Sequence, residues 1–387
     1  MSNPSSSARR CFLQTATPMA LLCFTGSRTA LADEEESLYP VIPPDPDLSF
    51  PRDHGAHPAY RTEWWYLTAW FESENGPMGM QITFFRSRTP YGRDNPSRFA
   101  PEQLVLAHAA LSMPVKGTLM HDEQAWRADD TIARFSVSDT DVEVGLPASR
   151  WRMFRDESDQ YQITVNAREF AFSITARPPP WMKAPVLQGK AGFSQKGPAI
   201  EQSSCYYSRP QLQIEGFFRT DGSDVPVKGN GWLDHEWSSS ILDEQATGWD
   251  WVGLNFHDGS ALMAFQVRRE SGEPLYSAAR LVENADSEMT QKDLEPRFTP
   301  LRYWQSARTD ARYPVSARLV AGDLDLLIEP LFDDQELDSR ASTGVIYWEG
   351  AVQVWDMASV QPDGSKTGER IATGYMELTG YAGTLSL

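Results

Sequence analysis

Apolar residues along this chain come in short runs, broken at roughly ten-residue intervals by Gly, Pro, Asn and Asp, the rhythm of strands joined by turns. Tyr66 to Phe71 is aromatic and apolar, ENGP (74–77) is a turn, and MGMQITFFR (78–86) resumes as a strand. ARFSVSD, VNAREFAFSITA, LQIEGFF, SARLVAGDLDLLIEP and VIYWEGAVQVW fit the same template. Helical periodicity is scarce. EQLVLAHAALS (102–112) supports a helix by propensity and a strand by the alternation of Leu104, Leu106 and His108, and both stay open. The pattern predicts an all-β protein, a barrel or a sandwich.

A weak internal repeat sharpens this. EWWYLTAWF (63–71) aligns with GWDWVGLNF (248–256), placing Trp64 on Trp249 and Phe71 on Phe256. Each segment is followed by a turn and another apolar strand, MQITFFRSR or MAFQVRRE. Two such hairpins predict two related β domains. Closed barrels leave no free edges and can hold an apolar ligand, so two barrels are favoured over one long open sheet. The expected organisation is a leader over 33–58, a first barrel over 59–240 and a second over 241–387. The leader is acidic and then rich in Pro (Pro40, Pro43, Pro44, Pro46, Pro51), which predicts an extended segment lying on the body.

The first 32 residues read as an export signal rather than as fold. Arg9-Arg10 precedes an apolar run through Phe24, and Ala30-Leu31-Ala32 offers small residues for cleavage. Such a signal implies twin-arginine export to the periplasm or beyond, with no transmembrane segment left in the mature chain, because the apolar run is too short. Cleavage would leave Cys205 as the sole cysteine, excluding intrachain disulfides and thiolate zinc sites. The formal net charge of −18 argues against nucleic acid as a partner.

The densest chemistry is GNGWLDHEWSS (229–239). His235-Glu236 opens like a zinc-protease helix, but HExxH needs a second His where Ser239 stands, so no metal is expected. On a strand, Trp232, Asp234 and Glu236 share one face and Leu233, His235 and Trp237 the other. The pattern does not decide which face meets a cavity. Asp250, between Trp249 and Trp251, stands where the first repeat has Trp65. Asp234, His235, Glu236 and Asp250 are the candidate acids and bases. Trp65, Tyr206, Tyr207, Trp237, Trp249 and Trp251 are the candidate aromatic substrate wall. The bland alternative makes the acids structural ties to arginine, as Arg61 beside Glu63 suggests.

HPAYRTEWWYLTAW (57–70), QITFFR (81–86), YYSRPQL (206–212), GNGWLDHEWSS, YWEGAVQV (347–354) and GYMELTGY (374–381) together resemble the AttH-like/CrtC family. Its members are called predicted secreted hydrolases or carotenoid 1,2-hydratases. The resemblance implies two tandem lipocalin-like antiparallel β-barrels, an apolar isoprenoid or lipid as ligand, and no cofactor. It also implies acid-catalysed hydration of a terminal alkene or a related cyclisation. The hydrolase label finds no support in a GxSxG elbow. Three readings stand: a hydratase or cyclase of an apolar polyene, a non-catalytic lipid carrier of the cell envelope, and a structural envelope protein whose motifs join two barrels.

Overall fold

Strands that are buried on one face alternate cleanly in sequence, and the outer strands of this protein do so. Tyr161–Asn166 and Phe170–Arg177 place every second side chain in the interior. The central strands do not alternate. Thr62–Ser73 and Ala261–Arg268 are buried almost throughout, because one face fills their own barrel and the other abuts the second sheet. The computed structural model describes residues 38–74, 76–91, 95, 97, 100–240, 242–285 and 288–383. The export signal expected over 1–32 lies outside these residues.

Two antiparallel sheets account for the fold, and among the described residues there is no α-helix, only 3₁₀ turns of three residues. In the first sheet the spatial order begins Met120–Arg127, Gln103–Ser112, Gly76–Arg88, Thr62–Ser73, Ser223–Ser240, Ser203–Thr220. It continues through Phe170–Arg177, Tyr161–Asn166, Trp151–Arg155 and Asp141–Val144 to Ala133–Phe135. The two end strands are neighbours in sequence, so the sheet curls into a nearly closed barrel. The second sheet is a half-barrel centred on Ala261–Arg268, Gly248–Phe256, Ala372–Leu378 and Val345–Asp356. The chain passes from one sheet to the other between Ser240 and Gly248. Residues 102–112, open between helix and strand in sequence, form a strand from Gln103 to Ser112, hydrogen-bonded on both sides.

Each barrel has its own apolar core, and a third cluster lies between them, containing Tyr66, Trp70, Tyr206, Trp232, Trp251 and Tyr375. Residues 39–387 accordingly form one compact unit. Gly79 allows the close approach: a Cβ there would meet the Tyr375 hydroxyl and the Ala351 methyl of the other sheet. Residues 38–58 of the Pro-rich leader form no strand and turn once as a 3₁₀ segment at Arg52–His54, and their Ile42, Leu48, Phe50 and Ala56 pack onto the first core.

The repeat seen in sequence is a repeat in structure. Tyr66 is in register with Asp234, and Trp251 with Glu377. On the hairpin side Trp64 faces Phe85 and Trp249 faces Val267. Trp65 and Asp250 both turn away from the other sheet, into their own barrels.

Candidate functional site between the two barrels

The Asp-His-Glu run splits by strand alternation, and its two faces do different things. Leu233, His235 and Trp237 point into the first barrel. There Glu63, 0 % exposed, is the centre of a charged cluster. Its carboxylate accepts from the His57 backbone N–H at 2.8 Å and from Arg86 Nε at 2.8 Å. His57 Nδ1 and His235 Nε2 lie 2.8 and 2.9 Å from its Oε1. His57 stacks on Trp237 at 3.6 Å, and Tyr207 bridges His235 and His54. Burial would raise the Glu63 pKa, but His235, His57 and Arg86 outweigh it and hold the group well below the usual carboxylate range. Burial lowers the His235 pKa despite Glu63, whereas Asp53 and Glu63 overcome burial to raise that of His57. His57, Glu63 and His235 are close enough to ligate a metal. Their spacings are those of hydrogen bonds, and Arg86 already supplies the positive charge, so the donor set fits an internal salt bridge better than a cation. The tie suggested by Arg61 beside Glu63 is made to Glu63 by Arg86.

The other face, Trp232, Asp234 and Glu236, meets the second sheet. Between the sheets lies a cavity of about 120 Å³. Its rim carries the half-buried Trp64, Leu242 and Trp249, its walls Tyr206, Trp251 and Phe265, and its polar groups Asp234, Glu236, Glu349, Glu377 and Lys196. On the scale by which one water needs about 10–15 Å³, the space admits several waters or the end of an apolar chain.

Four carboxyls in an aromatic cavity cannot all be charged at low cost. Glu236 meets Lys196 at 3.0 Å, and Lys196 lies over the Tyr206 and Phe265 rings. Asp234 accepts from Tyr206 Oη at 2.7 Å, Ser208 Oγ at 2.5 Å and Trp232 Nε1 at 2.7 Å. Burial nevertheless pushes its pKa up to about 7. Glu349 and Glu377 are direct partners across neighbouring strands. Like charges in that register repel strongly. Burial first, and Glu377 second, drive Glu349 well above its ordinary range. Burial, with Asp234 and Glu236 adding to it, raises Glu377 as well. Tyr66, Tyr347 and Gln81 surround Glu349, yet no regular hydrogen bond reaches its Oε1. The pair holds at least one proton at neutral pH and titrates as a unit.

Of the residues singled out in sequence, the cavity collects Asp234, Glu236, Tyr206, Trp249 and Trp251. His235, Trp65, Tyr207 and Trp237 belong to the first barrel's interior. Asp250 lies in the second, with Arg268 Nε at 2.8 Å, Gln266 Nε2 at 2.7 Å and Tyr381 Oη at 3.0 Å. The buried Glu349–Glu377 pair was not singled out. Its one sequence signal was a glutamate inside each of two otherwise apolar strands, YWEGAVQV and GYMELTGY.

The AttH-like family model matches residues 41–381. The chain belongs to the AttH-like family. An AttH-type protein from Nitrosomonas europaea is 43 % identical and superposes with a TM-score of 0.77, covering 89 % of this chain and 100 % of that one. Kievitone hydratase from Nectria haematococca shares the fold at 15 % identity and a TM-score of 0.61, over 89 % of this chain and 96 % of that one. CghA does so at 12 % identity and a TM-score of 0.53, over 89 % and 96 %. No curated protein matches the sequence. Among the described residues of this AttH-like protein no helix is long and apolar enough to cross a membrane, which leaves strands unaddressed.

Proposed function

We propose that this AttH-like protein hydrates a carbon–carbon double bond near the end of an apolar, isoprenoid-type chain, using a proton held by the Glu349–Glu377 pair. The observation that carries this is a pair of facing carboxyls inside an aromatic cavity. An alkene carbon is a weak proton acceptor, so the donor must be a positioned, neutral acid, and burial beside a like charge makes one. The pair's proton forms a new C–H bond with the π electrons of the alkene. The carbocation left at the neighbouring carbon faces Trp249, Trp251 and Tyr206, whose ring faces stabilise positive charge. Water adds to that carbon, and Asp234 takes the proton that the water loses. Its pKa near 7 suits a base at neutral pH. The sum is alkene plus water to alcohol.

The name of kievitone hydratase supports a hydration on this fold, and the cavity's size supports entry by a chain end. The twin-arginine segment of the sequence supports a site of action in the periplasm or beyond, which fractionation of tagged protein would check. The direct test is incubation with acyclic isoprenoids in ¹⁸O-labelled water. A labelled alcohol is expected from the wild type and none from E349Q or D234N. A ligand that binds without conversion would instead make this a lipid carrier.

A further inference from the structure

The proposed reaction moves a proton from the Glu349–Glu377 pair to carbon and leaves another on Asp234, on the opposite sheet. The pair must therefore be reloaded, and Glu349 is buried away from solvent. A route leads from it to the surface. The Tyr347 hydroxyl faces Glu349. The same hydroxyl lies 2.8 Å from His108 Nδ1, and His108 Nε2 lies 2.8 Å from Ser342 Oγ. Ser342 Oγ in turn donates to Glu123 Oε2, on a half-buried side chain next to His108 in the sheet. His108 and Glu123 come from the first sheet, Tyr347 from a strand of the second and Ser342 from the turn that leads into that strand.

We infer that Glu123, Ser342, His108 and Tyr347 form a proton relay that carries hydrogen from solvent to Glu349. Each member can accept one proton and pass one on. Hydrogen moves from Glu123 to Ser342 Oγ as the Ser342 proton passes to His108 Nε2. The Nδ1 proton passes to Tyr347 Oη as the Tyr347 proton passes to Glu349. Each hop makes one bond to hydrogen and breaks one, and one passage converts the Nδ1–H tautomer of His108 into the Nε2–H tautomer. The imidazole suits this role because it is 0 % exposed, and burial, with His121 adding to it, lowers its pKa to about 3, so it rests neutral. Phe85 packs edge-on against its ring, 5.0 Å between centroids, shielding the path from the rim. A hydrolytic Ser–His pair does not fit the same atoms. The carboxylate holds the serine rather than the imidazole, and a tyrosine occupies the position of the orienting acid.

This inference deepens the proposed function, but its test needs no substrate. After a rapid pH drop from an alkaline solution in which Glu349 is ionised, time-resolved infrared spectroscopy follows the carboxylic C=O band of Glu349, assigned by its loss in E349Q. In H108F and S342A the band should grow in slower by about tenfold or more, and a small permeant acid such as formic acid should restore the rate. Equal rates in variant and wild type would overturn the relay. So would a slow rate that formic acid leaves slow, since that would make the four residues a tie between sheets. S342A removes one hydroxyl from a surface turn and decides the matter even where H108F does not fold. A protein that relays normally but hydrates nothing would refute the proposed reaction and leave the relay standing.

Discussion

Replacing Glu377 by Gln tests the shared proton without any knowledge of the substrate. In the folded protein Glu377 faces Glu349 and its pKa is pushed from the ordinary 4.5 up to about 7. The sign follows from proton counts. Above the ordinary value the unfolded chain has released this proton and the native state still holds it, so rising pH favours unfolding until the native group also ionises. One retained proton is worth about 1.4 kcal/mol per pH unit, tapering near pH 7, which integrates to about 2 kcal/mol between pH 5 and pH 7. Glu377→Gln has no such proton. Urea unfolding of both proteins, followed by tryptophan fluorescence, should show the variant gaining about 2 kcal/mol relative to wild type between pH 5 and pH 7. Any fixed cost of the amide is common to both conditions and cancels. An unchanged difference would mean that Glu377 is already ionised at pH 5. The shared proton would then rest on Glu349 alone, and the claim that the pair titrates as a unit would be refuted.

Four further outcomes follow from the packing. Arg86→Met strands the Glu63 carboxylate in the first barrel, and equilibrium unfolding at neutral pH should register a loss of about 3–5 kcal/mol. Glu63 titrates below its ordinary range, so its stabilisation is complete above about pH 5 and drains as acid protonates it; Glu63→Gln should be less stable than wild type at neutral pH, with a smaller further loss in an acid melting series. Asp250→Asn leaves Arg268 without its carboxylate and should lower the melting temperature while turnover per folded molecule stays within about twofold, since Asp250 faces away from the cavity. Gly79→Val forces a side chain against Tyr375 and Ala351, and calorimetry should show a cost of about 1–3 kcal/mol or more with binding of apolar ligands weakened.

Turn spacing, alternation in the outer strands and the doubled aromatic hairpin were enough to read an all-β chain with two sheets. The same alternation could not say which side of WLDHEW meets a cavity, because both sides are buried, one in the barrel and one against the other sheet. Asp234 and Glu236 were legible from their density beside tryptophan. Glu349 and Glu377 were not, since their meaning lies in facing each other across two strands that sequence places apart. The same holds for Glu63, whose arginine sits 23 residues along the chain and reaches it through the hairpin register. His108 looked like one polar position in an alternating segment. Its Ser342 partner is 234 residues away, and no local pattern announces that contact.

The matched positions of the two hairpins bear on where such a cavity could have come from. Asp234 and Glu377 stand opposite equivalent aromatic residues, Tyr66 and Trp251, one from each sheet. A single ancestral barrel that paired with its own copy across a two-fold axis would present the same acid twice in one shared cleft. Such a homodimer is bound to symmetric chemistry, because any change to one acid is a change to both. Joining the copies in one chain removes that bond. One half could then keep an acid cradled by Ser208, Tyr206 and Trp232 while the other set its acid against Glu349, so that a donor and an acceptor of protons could diverge from a single residue.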